Sequence, residues 1–485
     1  MIPRYPLLSL LTCILMTSVG CATAPAPEPA PHAATPRPHI LLINADDLGI
    51  MDVGYNTAAF RTPNIDRLGT ESLRFTNGYM PASNCAPSRA ALHSGQWGAR
   101  HGVYTVSSSE RGDPKTRKII PTPNTEHLPL EIYTLAEALR DGGYRTIHLG
   151  KYHLGDDPLE GGFEVNVGGN HQGGPYDDGY YGPWGKGPMA EWSETLTEPS
   201  HRIEVYLREA LRFMDTHRDE PLFIHFAPYL VHTPLTPVPE YVGNYVGTGL
   251  DPTYASMVEK LDWAVGQLLD ALDACGLAEN TLLVFTSDQG GIAKFHAQTP
   301  YRAGKGSYYE GGIRVPMLFR WPAHIEAGRS SDELVNGLDF YPTFLDAAGI
   351  EPRTELDGVS LMPLLTNSGD WTPVTQFWHF PIYLQAYDGR FDEARDPLFR
   401  TRPGSAMRHG QWKLHEFFED GALELYDLEA DPGERHDLAA ALPEKTAELH
   451  QMLKDWRTRT NSPAPTESNP TYDPEVEAAV IRKFQ

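Results

Sequence analysis

Residues 39–47 read His-Ile-Leu-Leu-Ile-Asn-Ala-Asp-Asp, an apolar run that stops at two acidic residues. Similar runs occupy residues 144–149, 222–227 and 281–287, and polar or charged residues follow each of them closely. Short, continuous apolar runs are typical of strands that are buried on both faces, as in a parallel sheet. The sequence therefore predicts a buried sheet with polar groups at the carboxyl ends of its strands.

Helical patterns lie between these runs. Residues 134–143 begin with Thr134, a common N-cap residue, and end with two glycines that stop a helix. Residues 254–275 carry apolar side chains at the spacing of one helix face. Strands that alternate with helices predict an α/β fold, with a large, mixed and mostly parallel sheet flanked by helices. Ligands of such sheets bind beyond the carboxyl ends of the strands, where these polar groups would meet.

The composition changes after Gly358. Short alternating segments between residues 378 and 428 predict a small antiparallel sheet, and residues 443–457 have the pattern of an amphipathic helix. We therefore predict a catalytic domain of residues 39–365 and a C-terminal α+β subdomain of residues 366–485.

The first residues have the features of an export signal. An apolar run at residues 7–19 is too short to span a bilayer and is typical of a secretory signal, which we assign to residues 1–20. The run ends at Cys21 after small residues, as in a bacterial lipobox, and both lipid attachment at Cys21 and ordinary cleavage nearby stay open. Residues 21–38 are rich in Ala and Pro and predict a flexible tether. We expect an exported protein of the periplasm or cell surface that contacts a membrane only through such an anchor.

The formal net charge of the chain is −24 at pH 7. So acidic a protein repels nucleic acid and anionic lipid head groups, and neither is expected as a partner. An anionic substrate would also be repelled at long range. Its site must therefore be a local cluster of positive side chains.

One cysteine stands in a motif of its own. Residues 85–95 read Cys-Ala-Pro-Ser-Arg-Ala-Ala-Leu-His-Ser-Gly, in a chain whose four cysteines are too few for a disulfide framework. This segment resembles the signature of the type I, formylglycine-dependent sulfatases, which belong to the alkaline phosphatase-like superfamily. The resemblance implies that fold, and it implies that a maturation enzyme oxidises Cys85 to formylglycine.

Other segments in the order of that family extend the resemblance over nearly the whole chain beyond the tether. By this resemblance the ligands of one divalent metal ion are Asp46, Asp47, Asp288 and Gln289. Gln289 stands where relatives usually carry Asn or His. The catalytic residues that the resemblance implies are Cys85, Arg89, Lys151, His153, His232 and Lys305.

The chemistry of these residue types agrees with the implied roles. Three carboxylates and an amide oxygen form a hard oxygen site, which favours Ca²⁺ or Mg²⁺ over zinc, and we expect Ca²⁺. If a helix begins at the cysteine, Arg89 projects back toward the nucleophile, and the helix N-terminus itself favours an anion. The lysines and histidines would complete a positive ring around a sulfate group.

The aldehyde of formylglycine accounts for the need for a cysteine. Its hydrate attacks sulfur with one hydroxyl, and the second hydroxyl then expels the sulfate, so that water never attacks sulfur. The resemblance implies that Asp288 helps to deprotonate the hydrate. It also implies that either His232 or Lys305 protonates the departing alcohol, and the sequence does not separate these two.

We therefore expect a sulfuric ester hydrolase that acts on a sulfated carbohydrate or an aryl sulfate. Residues 161–187 are rich in Gly, Tyr, Trp and His and are suited to stacking on a sugar, and His171 and His379 are candidate substrate contacts. A phosphoester or phosphonate hydrolase of the same superfamily is the first alternative, but such relatives mostly keep an unmodified Ser or Thr. An inactive lipoprotein that binds sulfated glycans is the second, and it would not need Cys85.

Overall fold

The computed structural model describes residues 37–484, except residues 177, 178 and 197. Its largest sheet has eight strands: β1 (His39–Ala45), β2 (Leu73–Tyr79), β3 (Arg145–Gly150), β4 (Val165–Val167), β5 (Leu222–Ala227), β6 (Thr281–Ser287), β7 (Met317–Arg320) and β8 (Ser330–Asn336). The strands pair in the order β4-β3-β5-β1-β6-β7-β2-β8. Strand β7 runs antiparallel to both of its neighbours, and the other pairs are parallel. This confirms the predicted α/β fold with a mixed, mostly parallel sheet.

Helices cover both faces of this sheet. They are α1 (Pro63–Thr70), α2 (Cys85–Ser94), α3 (Gly98–His101), α4 (Leu135–Asp141), α5 (Arg202–Thr216), α6 (Pro252–Cys275), α7 (Glu310–Ile313), α8 (Phe340–Ala348) and α9 (Met362–Leu365). Side chains of β1 alternate between the faces: Leu41 and Ile43 pack with α1, α5 and α6, whereas Ile40 and Leu42 pack with α2, α4 and α8. Because both faces of the strand are buried, its sequence is continuously apolar.

The elements predicted from sequence are present within a few residues of their expected ends. Thr134 caps α4 in a capping box with Glu137, as its position before the helical pattern predicted. Strands β2, β7 and β8 were not predicted. Strand β7 has only four residues, and β8 is an edge strand whose first residues are partly exposed and polar, so neither gives a clear apolar run.

The remainder of the described chain forms two antiparallel sheets and two helices. The strands are β9 (Gln376–Phe380), β10 (Leu384–Gln385), β11 (Phe399–Thr401), β12 (Gly404–His409), β13 (Trp412–Phe417) and β14 (Leu423–Asp427), and the helices are α10 (Pro443–Thr460) and α11 (Pro474–Ile481). The order β14-β13-β12-β9 makes a four-stranded sheet, and β10 pairs with β11. Helix α10 packs on the larger of these sheets, with Trp456 stacked on Phe377 at 4.7 Å between ring centroids. The domain boundary near residue 365 stays a prediction.

In the described residues, no helix combines the length and the apolar character that a membrane crossing requires. The predicted signal in residues 1–20, Cys21 and most of the predicted tether lie outside the described residues. Export and lipid attachment therefore stay predictions.

Candidate active site

The two pairs of predicted metal ligands follow adjacent strands. The register of β1 and β6 sets Ala45 opposite Ser287, so Asp46 and Asp288 leave the sheet side by side. The backbone N–H of Asp47 donates to Oδ1 of Asp288 at 3.3 Å. All four predicted ligands are buried, with at most 1% of the residue exposed. The sheet therefore brings together two pairs of residues that lie more than 200 positions apart in sequence.

Cys85 is the first residue of helix α2 and is 3% exposed. The side chain of Asn84 caps the helix by accepting from the Cys85 N–H at 3.2 Å, and its Oδ1 lies 3.8 Å from the sulfur. A helix N-terminus carries unpaired N–H groups and partial positive charge, which stabilise a nearby anion. Asn84 was missed in the sequence analysis, although an Asn before a helix is a common capping signal.

Arg89 lies one turn into α2 and connects this helix to the ends of two strands. Its Nε donates to Oδ2 of Asp288 at 2.8 Å, and its Nη1 donates to the carbonyl of Lys151 at 2.8 Å. The Arg89 side chain is 1% exposed. It is therefore a buried cation that is paired with a carboxylate and aligned by a backbone oxygen.

Lys151 depends on the glycine that precedes it. Gly150 has a φ of 104°, and a Cβ there would lie 2.1 Å from the carbonyl oxygen of Ala227. A side chain is thus excluded at the end of β3 both by conformation and by the close approach of β5. The turn directs Lys151 Nζ onto the Asp46 carboxylate, at 2.9 and 2.8 Å from its two oxygens.

Asp47 is shared by two of the predicted catalytic residues. Its Oδ1 lies 2.6 Å from Nζ of Lys305, and its Oδ2 lies 3.8 Å from Nε2 of His232. The carbonyl of Thr233 lies 2.6 Å from Nδ1 of His232, and a carbonyl can only accept. The ring proton of neutral His232 is therefore on Nδ1, and Nε2 presents a lone pair to the site.

Charge in the site is unevenly distributed. Burial lowers the pKa of His153 and of His232 far below the usual value, and nearby lysines lower both further. Burial raises the pKa of Asp47, but the charges of Lys305 and Lys151 outweigh it and lower this pKa to about 2. The positive charge predicted around the sulfate therefore comes from Arg89, Lys151 and Lys305, whereas both histidines are neutral.

The oxygen atoms fit a hard divalent cation. Oδ2 of Asp47 and Oε1 of Gln289 are buried and have no hydrogen-bond partner among the described residues, while Nε2 of Gln289 bonds to Oδ1 of Asp47. A buried acceptor without a donor is costly, and a cation would satisfy both atoms. Asp46, Asp47 and His232 also place one ligand atom each within 4.8 Å of one another. His232 is thus a further potential ligand that the sequence analysis did not include.

The described contacts of the two candidate substrate histidines are with residues outside this cluster. His171 is exposed, and its Nδ1 lies 3.1 Å from Oδ1 of Asp156. His379 is on β9, where its Nδ1 bonds to Ser405 at 2.8 Å and its ring contacts Tyr104, Phe418 and Trp456. Burial lowers the pKa of His379 to about 3. Their roles in substrate binding stay predictions, and the contacts of His379 are those of a packed core side chain.

A glycine-rich segment covers His153 and His232, the two histidines predicted to be catalytic. A Cβ on Gly173 would lie 2.8 Å from Cε1 of His153, and one on Gly174 would lie 2.9 Å from Nδ1 of His232. The backbone of this segment therefore rests directly on both rings. Sequence alone showed the richness in glycine but not the surface on which the segment packs.

Comparison with known proteins identifies the family of the chain. The family described as Sulfatase matches residues 38–350, and the family described as N-sulphoglucosamine sulphohydrolase, C-terminal, matches residues 304–460. Arylsulfatase A of Homo sapiens is 34% identical over 86% of each chain, and N-acetylgalactosamine-6-sulfatase of Rattus norvegicus is 32% identical over 87% of this chain and 84% of its own. The crystal structure of Ps i-CgsB in complex with k-i-k-neocarrahexaose has a TM-score of 0.69 at 28% identity and covers 93% of this chain and 97% of that chain.

The family match spans more than half of the chain, and the relatives are similar over most of their length. The chain belongs to the sulfatase family, and it is an enzyme that hydrolyses sulfuric esters.

Proposed function

We propose that this sulfatase releases inorganic sulfate from a sulfated carbohydrate. Two of the similar proteins support a saccharide substrate: one is named for a sulfated amino sugar, and the other is complexed with a neocarrahexaose. The exposed aromatic ring of Tyr176 lies edge-on to the catalytic His232, at 5.8 Å between centroids. Such a ring is suited to contact with the apolar face of a sugar.

We propose further that a maturation enzyme oxidises Cys85 to formylglycine. The cationic side chains close to Cys85 support the proposal. Burial lowers the pKa of Arg89, Lys151 and Lys305, but nearby carboxylates outweigh it, and Cys85 also raises the pKa of all three cations. Once formed, the hydrated aldehyde supplies a hydroxyl nucleophile and a second hydroxyl for release of the sulfate.

The residues proposed to hold one Ca²⁺ are Asp46, Asp47, Asp288 and Gln289. The two buried oxygens without hydrogen-bond partners among the described residues, on Asp47 and Gln289, support this assignment. A bound cation supplies a fixed positive charge next to the nucleophile and the sulfate. Oxygen donors alone favour Ca²⁺ or Mg²⁺.

The charged side chains and His232 have separate proposed roles. Arg89 holds the Asp288 carboxylate in place, and Lys151 holds that of Asp46. Nζ of protonated Lys305 has N–H groups beside Asp47, whereas Nε2 of neutral His232 has no proton to donate. We therefore favour Lys305 over His232 as the group that protonates the departing alcohol.

The test is the release of sulfate, measured by ion chromatography, from defined sulfated saccharides and an aryl sulfate, with the matching phosphate esters in parallel. The protein is made in a host with a maturation enzyme and is supplied with calcium. We expect sulfate from the aryl ester and from at least one saccharide, poor turnover of phosphate esters because of their extra charge, and none by Cys85→Ala. A preference for phosphate esters supports a phosphoester hydrolase instead, and binding of saccharides without release supports the glycan-binding alternative.

We also propose that the enzyme is exported and attached to lipid at Cys21. The apolar run and the small residues before Cys21 support this. The native protein is then expected in the detergent phase of a two-phase extraction, and Cys21→Ala in the aqueous phase. Aqueous partition of both proteins contradicts lipid attachment.

A further inference from the structure

Arg400 is a buried cation beside the active site that is not neutralised by a neighbouring acid. It lies on β11 and is 6% exposed. Its Nε donates to the carbonyl of Gln385 and its Nη1 to the carbonyl of Lys305, each at 3.0 Å. Within the described residues no carboxylate lies within ion-pair distance of it. The guanidinium is thus fixed against the backbone of a catalytic lysine with its charge unpaired.

The carboxylate of Asp392 lies near Arg400 but accepts hydrogen bonds from other groups. One oxygen of Asp392 accepts the N–H groups of Tyr387, at 2.7 Å, and Asp388, at 3.2 Å. Burial raises the pKa of Asp392, and Arg400 only partly offsets that rise. The Tyr387 ring, 3.3 Å from Cζ of Arg400, gives the cation its closest described contact with an aromatic face.

Arg111 lies on the same side of the site and is also unpaired. Its side chain has no hydrogen bond or ion pair among the described residues, and the adjacent Glu110 pairs instead with Arg117 at 3.0 Å. A Cβ on Gly112 would lie 2.6 Å from the Phe399 ring, so this segment packs directly on β11. Burial lowers the pKa of Arg111, and the nearby Arg400 lowers it further, while Tyr387, Cys85 and Tyr176 oppose them. Arg111 therefore lies close enough to Arg400 and to Cys85 for their charges to interact.

The hydrogen bonds of Arg400 to two carbonyls do not neutralise its charge. Placing a second cation near a buried, unpaired one costs free energy, because each disfavours the charge of the other. The chain as a whole is strongly acidic, so carboxylates to neutralise these arginines were readily available. An anionic group of a ligand would remove the repulsion and satisfy the unused N–H groups of both side chains.

Two exposed aromatic rings lie next to the arginines. Tyr176 is 63% and Tyr387 is 48% exposed, and both contribute to the pKa of Arg111. Exposed aromatic rings beside charged groups are suited to a ligand with apolar faces and anionic substituents, such as a saccharide.

We propose that Arg111 and Arg400 form a subsite for a second anionic group of the substrate, next to the sulfate that is cleaved. The substrate is then a saccharide with at least two negative groups, the second being a sulfate or a carboxylate. This inference rests on the proposed function, because it refines the substrate class of the same site.

The experiment compares three saccharides of one size: one with a single sulfate, one with a second sulfate, and one with a sulfate and a uronic carboxylate. The measured quantity is kcat/KM for each doubly charged saccharide divided by kcat/KM for the singly charged one. We expect the larger of the two ratios to exceed about ten in the wild type and to fall by roughly tenfold or more in Arg111→Gln, since a charge-assisted contact is lost. The saccharide with the larger ratio identifies the second group as sulfate or carboxylate.

Arg212→Gln is the matched control, because Arg212 is 78% exposed on α5 and should leave the ratios unchanged. Titration of the same saccharides into Cys85→Ala measures the discrimination by binding alone. A wild-type ratio near one, or an Arg111→Gln ratio equal to that of the wild type, in both turnover and binding, overturns the subsite. Failure of the proposed function gives a different result from failure of the subsite. No saccharide or aryl ester then yields sulfate, although binding still discriminates between singly and doubly charged saccharides.

Discussion

Nζ of Lys305 lies 2.6 Å from Oδ1 of Asp47, whose other oxygen has no hydrogen-bond partner among the described residues. Asp47 therefore connects the group proposed to protonate the leaving alcohol with the proposed metal site. A change at either residue should affect both functions. Different variants test protonation of the alcohol and binding of the cation.

The first prediction concerns the proton for the departing alcohol. In Lys305→Met the loss of kcat/KM should grow as the alcohol becomes more basic, because a poor leaving group depends more on protonation. In His232→Gln the loss should be similar for all alcohols. The measurement is the slope of log kcat/KM against leaving-group pKa over a series of aryl sulfates. If the slope steepens in His232→Gln and not in Lys305→Met, the proton comes from His232.

The second prediction concerns the cation. Removal of divalent ions with a chelator should abolish activity and lower the melting temperature, because a ligand that binds only the folded state stabilises it, and calcium should restore both. In Gln289→Leu the calcium concentration for half-maximal activity should rise by at least about tenfold. Gln96→Leu, which alters a surface contact with Glu355, serves as control. Unchanged activity and melting in chelator, with no residual metal by elemental analysis, argues against the site.

The third prediction concerns the glycine-rich segment over the histidines. Gly173→Ala places a Cβ 2.8 Å from the His153 ring and should lower kcat/KM by about 10- to 100-fold through displacement of that ring, with little change in stability. Gly155→Ala is the matched control, since no atom lies within 4 Å of its added Cβ. Equal activity of the two variants would show that the His153 position is not critical.

The fourth prediction concerns acid stability. Burial lowers the pKa of His101 to about 4, although the backbone carbonyl of Gln96 opposes the shift. The unfolded chain therefore binds the proton more tightly, and the stability from this group is complete above about pH 6.5 and is lost as the pH falls toward 4. At pH 4.5 the loss is roughly 2 to 3 kcal/mol.

The variant for this test is His101→Asn, because its amide oxygen can still accept the N–H of Val103, which now donates to Nδ1 at 3.1 Å. Urea unfolding at pH 7 and pH 4.5 should show a smaller loss of stability in the variant than in the wild type. An equal loss in both proteins contradicts the assignment.

The sheet and the centre of the site were predictable from sequence because their signals are local. An apolar run that stops at Asp46 or at Asp288 is visible along the chain, and parallel strands bring such ends together. The edge strand β8 was not predictable, since its exposed half has no apolar pattern.

Contacts made by distant segments were not predictable. Arg400, on the small sheet of β10 and β11, reaches the carbonyl of Lys305, and Gly173 lies against His153 because of how a loop folds back. Neither contact can be predicted from the spacing of residues in the sequence. The neutral state of His232 was also hidden, because it depends on burial beside two lysines.

The most direct test of the account is the state of residue 85. Preparations made with different amounts of maturation enzyme should differ in the fraction of Cys85 converted to formylglycine, which is measured by the mass of the active-site peptide and its reaction with a hydrazine. We predict that sulfate ester turnover is proportional to this fraction, with none at zero aldehyde, and that Cys85→Ser is inactive in a host whose enzyme does not accept serine. Full sulfatase turnover by a preparation without aldehyde would contradict it.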